Sequence, residues 1–165
     1  MIDYHINLLY LDYWFFFQGN NKHFKLKIGK RNIPNKEISI KKILENKKNV
    51  LLKVDIEDAE YKILNEIIKN YKKINCLIIE FHSIKKNLKA INNFVNKIKD
   101  LRIIHIHANN IRKLDKYGYP FALEISFINL KLIKTEKKNN LQNYPITKLD
   151  YPNVKRNKEI KLIFN

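Results

Sequence analysis

The sequence predicts an α/β fold on three observations. First, residues 50–54 read Val-Leu-Leu-Lys-Val, end on Asp55, and give way to helical spacing at Ala59, Ile63, Leu64, Ile67 and Ile68. That is a strand, a short turn and a helix. Second, Cys76, Leu77, Ile78, Ile79 and Phe81 form an apolar run with Glu80 and His82 at its end, followed by a stripe of Ile84, Leu88, Ile91, Val95 and Ile98. A parallel strand covered on both faces and a second amphipathic helix have this pattern. Third, residues 101–108 and 121–128 are two more strand-like segments joined by a loop with Gly118 and Pro120, most economically an antiparallel pair at the sheet edge. Together they predict parallel strands with helices on both faces and an antiparallel edge hairpin.

At 165 residues the chain is expected to be a single domain with a real core, short for a complete α/β enzyme. Residues 1–21 carry Leu8, Leu9, Tyr10, Leu11 and the run 14–17 without a clean period, so they either pack on a sheet face or form a patch that needs a partner. Asp12 interrupts the apolar run, which is too short to span a bilayer, and no signal peptide is visible. Residues 23–28 alternate Phe24, Leu26 and Ile28 with lysines, as a half-buried strand does, and 29–35 read as a turn. Ser39 is placed to cap a short helix with Ile40, Ile43 and Leu44 on its apolar face. In residues 101–108, Ile104 and Ile106 are expected on one face and His105 and His107 on the other. Residues 131–157 read as an irregular excursion, and Ile160, Leu162 and Phe164 alternate as a last short strand.

The formal charge of +17 suggests a polyanionic partner in principle. Of the 33 basic residues, however, only Arg31, Arg102, Arg112 and Arg156 are arginine, and the lysines are spread along the whole chain. Solvated lysine faces are therefore favoured over a nucleic-acid surface, which favours arginine forks. A basic protein binding nucleic acid or an anionic surface without catalysis is kept as the rival reading. The single cysteine, Cys76, excludes an internal disulfide and fits a reducing, cytoplasmic compartment.

Ligands of open α/β sheets bind outside the carboxyl ends of the strands, which puts Asp55 and Glu57 on functional ground. Asp58 and Glu60 are explained by the helix start, where acids complement the macrodipole. His82 belongs to the same crevice by topology, either as a general base with Glu80 beside it or as a hydrogen-bonded loop residue. His105 and His107 lack a convincing third ligand, so substrate contact or structural hydrogen bonding is expected and no metal site. Glu124 is expected to pair with a histidine or lysine across the hairpin, and Asn109 and Asn110 suit a turn.

Five phrases in order over residues 50–153 resemble the FkbM-type S-adenosylmethionine-dependent methyltransferases. They are residues 52–61 (Leu-Lys-Val-Asp-Ile-Glu-Asp-Ala-Glu-Tyr), 79–82 (Ile-Glu-Phe-His), 105–110 (His-Ile-His-Ala-Asn-Asn), Pro120 with 123–127 (Leu-Glu-Ile-Ser-Phe), and 149–153 (Leu-Asp-Tyr-Pro-Asn). The resemblance implies the carboxy-terminal part of a Rossmann-like methyltransferase sheet, S-adenosylmethionine as cofactor, and O-methylation of a small-molecule or glycan hydroxyl. It implies catalytic roles for Asp55, Glu57 and His82, acceptor contacts from Glu80, His105, His107, Asn109 and Glu124, and cofactor contacts from Asp55 and from Asp3 as the ribose-binding acid. Two departures stand out. Asp58 occupies a position where the family has glycine, and Gly19, Gly29 and Gly118 are the only glycines, so the glycine-rich cofactor turn is missing. The chain is accordingly expected to begin after that turn, with a partner chain or segment completing the cofactor site.

Overall fold

The computed structural model describes residues 21–134 and 143–163. It divides into two compact units, residues 1–45 and 46–165. Asp3 and the apolar run 8–17 lie outside the described residues.

In the first unit, β1 (Lys27–Gly29) pairs in parallel with β2 (Glu37–Ser39), with Ile28 opposite Ile38. The ladder is shorter than the alternation over 23–28 predicts. An added Cβ at Gly29 would lie 2.3 Å from Glu37 Oε1, so any larger residue would displace the Glu37 side chain. Ser39 caps α1 (Ile40–Ile43) as expected, its hydroxyl accepting from Lys42 N–H at 3.2 Å, and Ile40 and Leu44 are buried.

The second unit is a four-stranded sheet in the order β3-β4-β6-β5: β3 (Val50–Val54), β4 (Ile74–His82), β5 (Leu101–Asn109) and β6 (Ala122–Asn129). β3 and β4 are parallel, whereas β6 runs antiparallel to both β4 and β5. The predicted α/β class and terminal antiparallel pair are present, with β6 inserted between β4 and the edge strand β5. Between β3 and β4 come a 3-10 turn (Glu60–Lys62), α2 (Leu64–Asn70) and a second 3-10 turn (Tyr71–Lys73). α3 (Ile84–Lys97) connects β4 to β5.

One sheet face carries Leu77, Ile79 and Phe81 of β4 with Ile125 and Phe127 of β6, all buried. Phe94 of α3 meets Phe81 and Phe127 edge-on, at centroid distances of 6.0 and 6.3 Å. Each fully buried phenylalanine contributes about 1.5–3 kcal/mol of hydrophobic stabilisation. α2 packs on α3, so among the described residues the helices gather on this face. The opposite face carries Glu80, Glu124, His105 and His107, with segment 143–163 against its β5 end.

Two local expectations fail. A register shift between Ile103 and His105 takes Ile104 out of the ladder and leaves it 52% exposed, so it does not share a buried face with Ile106. Leu162 makes only an isolated bridge to Tyr144, so no strand forms over residues 160–163, and Phe164 lies outside the described residues. Cys76 is half-buried.

Candidate functional site

Parallel pairing of β3 and β4 brings their carboxyl ends side by side, and the residues just beyond those ends make the site. Asp55 follows β3 directly. The turn after it holds Glu57 at φ 48° and Asp58 at φ 65°, closed by a hydrogen bond from Ala59 N–H to Ile56 C=O at 3.1 Å. This left-handed turn is formed without glycine, Asp58 being a residue that tolerates the region better than most. Beyond it, Glu60 opens the 3-10 turn and is fully buried. Asp55, Glu57 and His82, at the end of β4, bring one carboxylate oxygen each and an imidazole nitrogen within 4.8 Å of one another.

His82 is 4% exposed. Glu60 Oε1 accepts the His82 backbone N–H at 2.7 Å and lies 3.3 Å from Nδ1, while Glu57 Oε2 lies 3.4 Å from Nε2. The Tyr61 hydroxyl donates to the His82 carbonyl. The ring of Phe121 meets the imidazole edge-on at 6.0 Å and carries the Arg112 guanidinium 3.9 Å above its centroid.

The Glu60 hydrogen bond is the largest influence on His82. It outweighs the opposing effect of burial and, with the charges of Glu60, Glu57 and Glu80, raises the imidazole pKa to about 9. At neutral pH His82 is then an imidazolium, a hydrogen-bond donor that has no lone pair with which to take a proton. A charged imidazolium weighs against the general-base alternative for His82 and towards the hydrogen-bonded one. Its supporting carboxylate is Glu60, not Glu80. Burial, then the charges of Glu60 and Asp58, raise the Tyr61 phenol.

Beside this cluster is a cavity of about 250 Å³ lined by Glu80, His107, Asn109, Glu124, Asp150 and Tyr151, among others. Asn109 Nδ2 donates to Glu80 Oε1 at 2.7 Å, and Lys53 Nζ lies 3.1 Å from Glu124 Oε2. Glu124 thus pairs with a lysine of β3 rather than across the hairpin. Burial raises the Glu80 pKa, against the Asn109 hydrogen bond and with the help of the neighbouring Asp55. Burial works against the charge of Lys53, but Glu124 outweighs it and the pKa is raised.

Of the residues expected to contact an acceptor, Glu80, His107, Asn109 and Glu124 converge on this cavity. His105 does not line it; its Nε2 is 2.7 Å from Asp150 Oδ1 and its ring packs on Tyr144. His107 Nε2 lies 3.3 Å from Glu159 Oε2. Among the described residues the metal-capable cluster is Asp55, Glu57 and His82, not the His105 and His107 pair.

One solved structure gives a likeness. It is described as the crystal structure of the M1.HpyAVI–SAM complex, and the match covers 70% of this chain at 16% identity with a TM-score of 0.38. The chain spans 62% of that structure's length. No protein-family model matches the sequence, and neither does any curated protein.

Phe121 and Lys53 are site residues that the sequence reading passed over, and Glu60, read there as belonging to a helix start, is instead buried against His82. The one signal for Glu60 was its place in an acidic run, which a helix start explains equally well. A second cavity, of about 570 Å³, lies where chain segments enter β3 and β4 and leave β6; it is lined by Lys47, Lys48, Lys72, Lys73 and Lys131 with Asn46 and Asn49. Lysines scattered in sequence are here gathered in space. Among the described residues no helix is long and apolar enough to cross a membrane.

Proposed function

We propose that the chain is an S-adenosylmethionine-dependent methyltransferase domain of FkbM type, acting on a hydroxyl of a small molecule or glycan. The observation that carries this reading is the convergence of Asp55, Glu57 and His82 at the carboxyl ends of adjacent parallel strands, beside a polar cavity. In an α/β sheet that is the ligand-binding crevice.

The described residues suit the two ends of the reaction unequally. The electronegative cluster complements a positively charged sulfonium. The cavity offers Glu80 and Glu124 as acceptors and Asn109 as a donor for the hydroxyl groups of a polyol. A glycine-rich cradle for the rest of the cofactor is lacking among the described residues, since Gly29 packs under Glu37 and Gly118 lies in the loop between β5 and β6. A partner chain or segment supplying that cradle is part of the proposal.

When bound, S-adenosylmethionine supplies an electrophilic methyl group. The chain's own contribution is to position the acceptor: Asp55 accepts a hydrogen bond from the reacting hydroxyl and takes its proton, and the His82 imidazolium donates to a neighbouring oxygen. Calorimetry with S-adenosylmethionine and its demethylated product tests the reading. Saturable heat that is lost in Asp55→Asn supports it, and no heat at millimolar ligand removes autonomous cofactor binding.

The rival reading, association with an anionic surface or nucleic acid, would use the lysine-lined cavity. It requires affinity that falls steeply with salt. Negligible binding at low salt ends it.

A further inference from the structure

We propose that Asp55, Glu57 and His82 form a binding site for a first-row divalent cation, with Glu60 as the buried carboxylate that positions the imidazole. The donor set is one imidazole nitrogen and two carboxylate groups, drawn from the ends of β3 and β4 and the turn between them, with one ligand atom from each within 4.8 Å of the others. Ligands about 2.0–2.2 Å from a metal lie at most about 4.4 Å apart across it, so a small adjustment closes the site. Asp55 and Glu57 are exposed, and Asp55 also shares a side-chain hydrogen bond with Glu80.

The independent observation is the way His82 is held. Its side chain is 5% exposed, and Glu60 Oε1 engages Nδ1 and the backbone N–H together. That leaves Nε2 directed at the two carboxylates, with Glu57 Oε2 at 3.4 Å; in the cation-free protein Nε2 carries the imidazolium proton, and a bound cation takes the place of that proton as it leaves to solvent. A histidine whose far nitrogen is fixed by a carboxylate is the usual support of a metal-binding imidazole. Its burial also distinguishes this cluster from a solvated acidic patch. Mixed nitrogen and oxygen donors favour Mn²⁺ or Zn²⁺ over Mg²⁺, which prefers oxygen alone.

Any use of this cation in methyl transfer, where it would hold the acceptor's hydroxyl oxygen and make it more acidic, rests on the function proposed above. Cation binding itself does not. The test therefore contains neither cofactor nor acceptor. The untagged full chain, stripped with chelator, is titrated with MnCl₂, following heat and the electron paramagnetic resonance signal of free Mn²⁺, with ZnCl₂ as competitor. One saturable site per chain is expected, displaced by Zn²⁺. Asp55→Asn, Glu57→Gln and His82→Gln each weaken it by roughly tenfold or more, Glu60→Gln weakens it by roughly tenfold, and Glu45→Gln leaves it unchanged. Glu57 is 81% exposed at its side chain, so its variant keeps the test decisive even if His82→Gln misfolds. No saturable binding of either cation at millimolar concentration, or binding indifferent to Asp55→Asn and Glu57→Gln, overturns the proposal. Either result leaves the cofactor calorimetry to be judged separately.

Discussion

Glu60 Oε1 binds the backbone N–H of His82 at 2.7 Å and sits 3.3 Å from its Nδ1, joining the turn after β3 to the end of β4 in the interior. The second oxygen, Oε2, is buried without a hydrogen-bond donor among the described residues. A buried carboxyl with one oxygen unsatisfied is favoured by a positive charge beside it, and the imidazolium supplies one. The pH dependence follows. His82 has its pKa raised from 6.5 to about 9 in the folded chain, so its charge stabilises the fold fully below about pH 6.5 and is lost as pH rises through about 9. In chelator-treated protein, denaturant midpoints are expected to fall across that window. In Glu60→Gln the fall weakens, and the His82 proton resonances titrate at a lower pH. An unchanged His82 titration in Glu60→Gln would show that the pair does not set this charge.

The turn that delivers Glu60 has its own signature. Asp58 stands at φ 65°, where an L-residue is disfavoured by roughly 1–2 kcal/mol, less for Asp than for most. Asp58→Gly is expected to leave stability equal or raise it by up to about 1 kcal/mol, the relief being partly offset by unfolded-chain entropy. A β-branched residue has no such tolerance, so Asp58→Val is expected to lose about 1–2 kcal/mol. Urea midpoints ranked glycine, aspartate, valine bear the conformation out, and a valine variant as stable as the parent contradicts it.

How much of this was legible follows from where the information lay. β4 and α3 were readable because burial on both faces of a strand and on one face of a helix imposes periods of composition that few other structures share. The carboxyl-end position of Asp55 and His82 came from element order alone. Glu60 was not readable, because a carboxylate at a helix start and a carboxylate buried under a histidine 22 positions away look identical in one dimension. The pairing of His105 with Asp150, 45 residues apart, was hidden for the same reason. The bulge at Ile104 was lost because strict alternation assumes an unbroken ladder.

Asn110 carries the last prediction. It is 2% exposed, at the end of β5, and its side chain fastens the segment after residue 143. Nδ2 donates to the carbonyls of Val154 and Asn157, both at 3.1 Å, and Oδ1 accepts from Val154 N–H at 2.8 Å. The Asn157 amide returns a hydrogen bond to the Asn110 carbonyl at 2.8 Å. This segment supplies Asp150 and Tyr151 to the polar cavity, so the clamp couples its order to the site. Asn110→Ala strands buried backbone groups and is expected to cost roughly 1–3 kcal/mol, with faster amide exchange at Val154. Asn110→Asp keeps the acceptor but turns a carboxylate oxygen toward two carbonyls, and is expected to be no better than alanine. If hydrogen exchange at Val154 is unchanged in both variants, Asn110 is not what holds the segment. If exchange rises while the Glu60 and His82 pair keeps its titration, the cavity wall and the strand-end cluster are separable parts of the site.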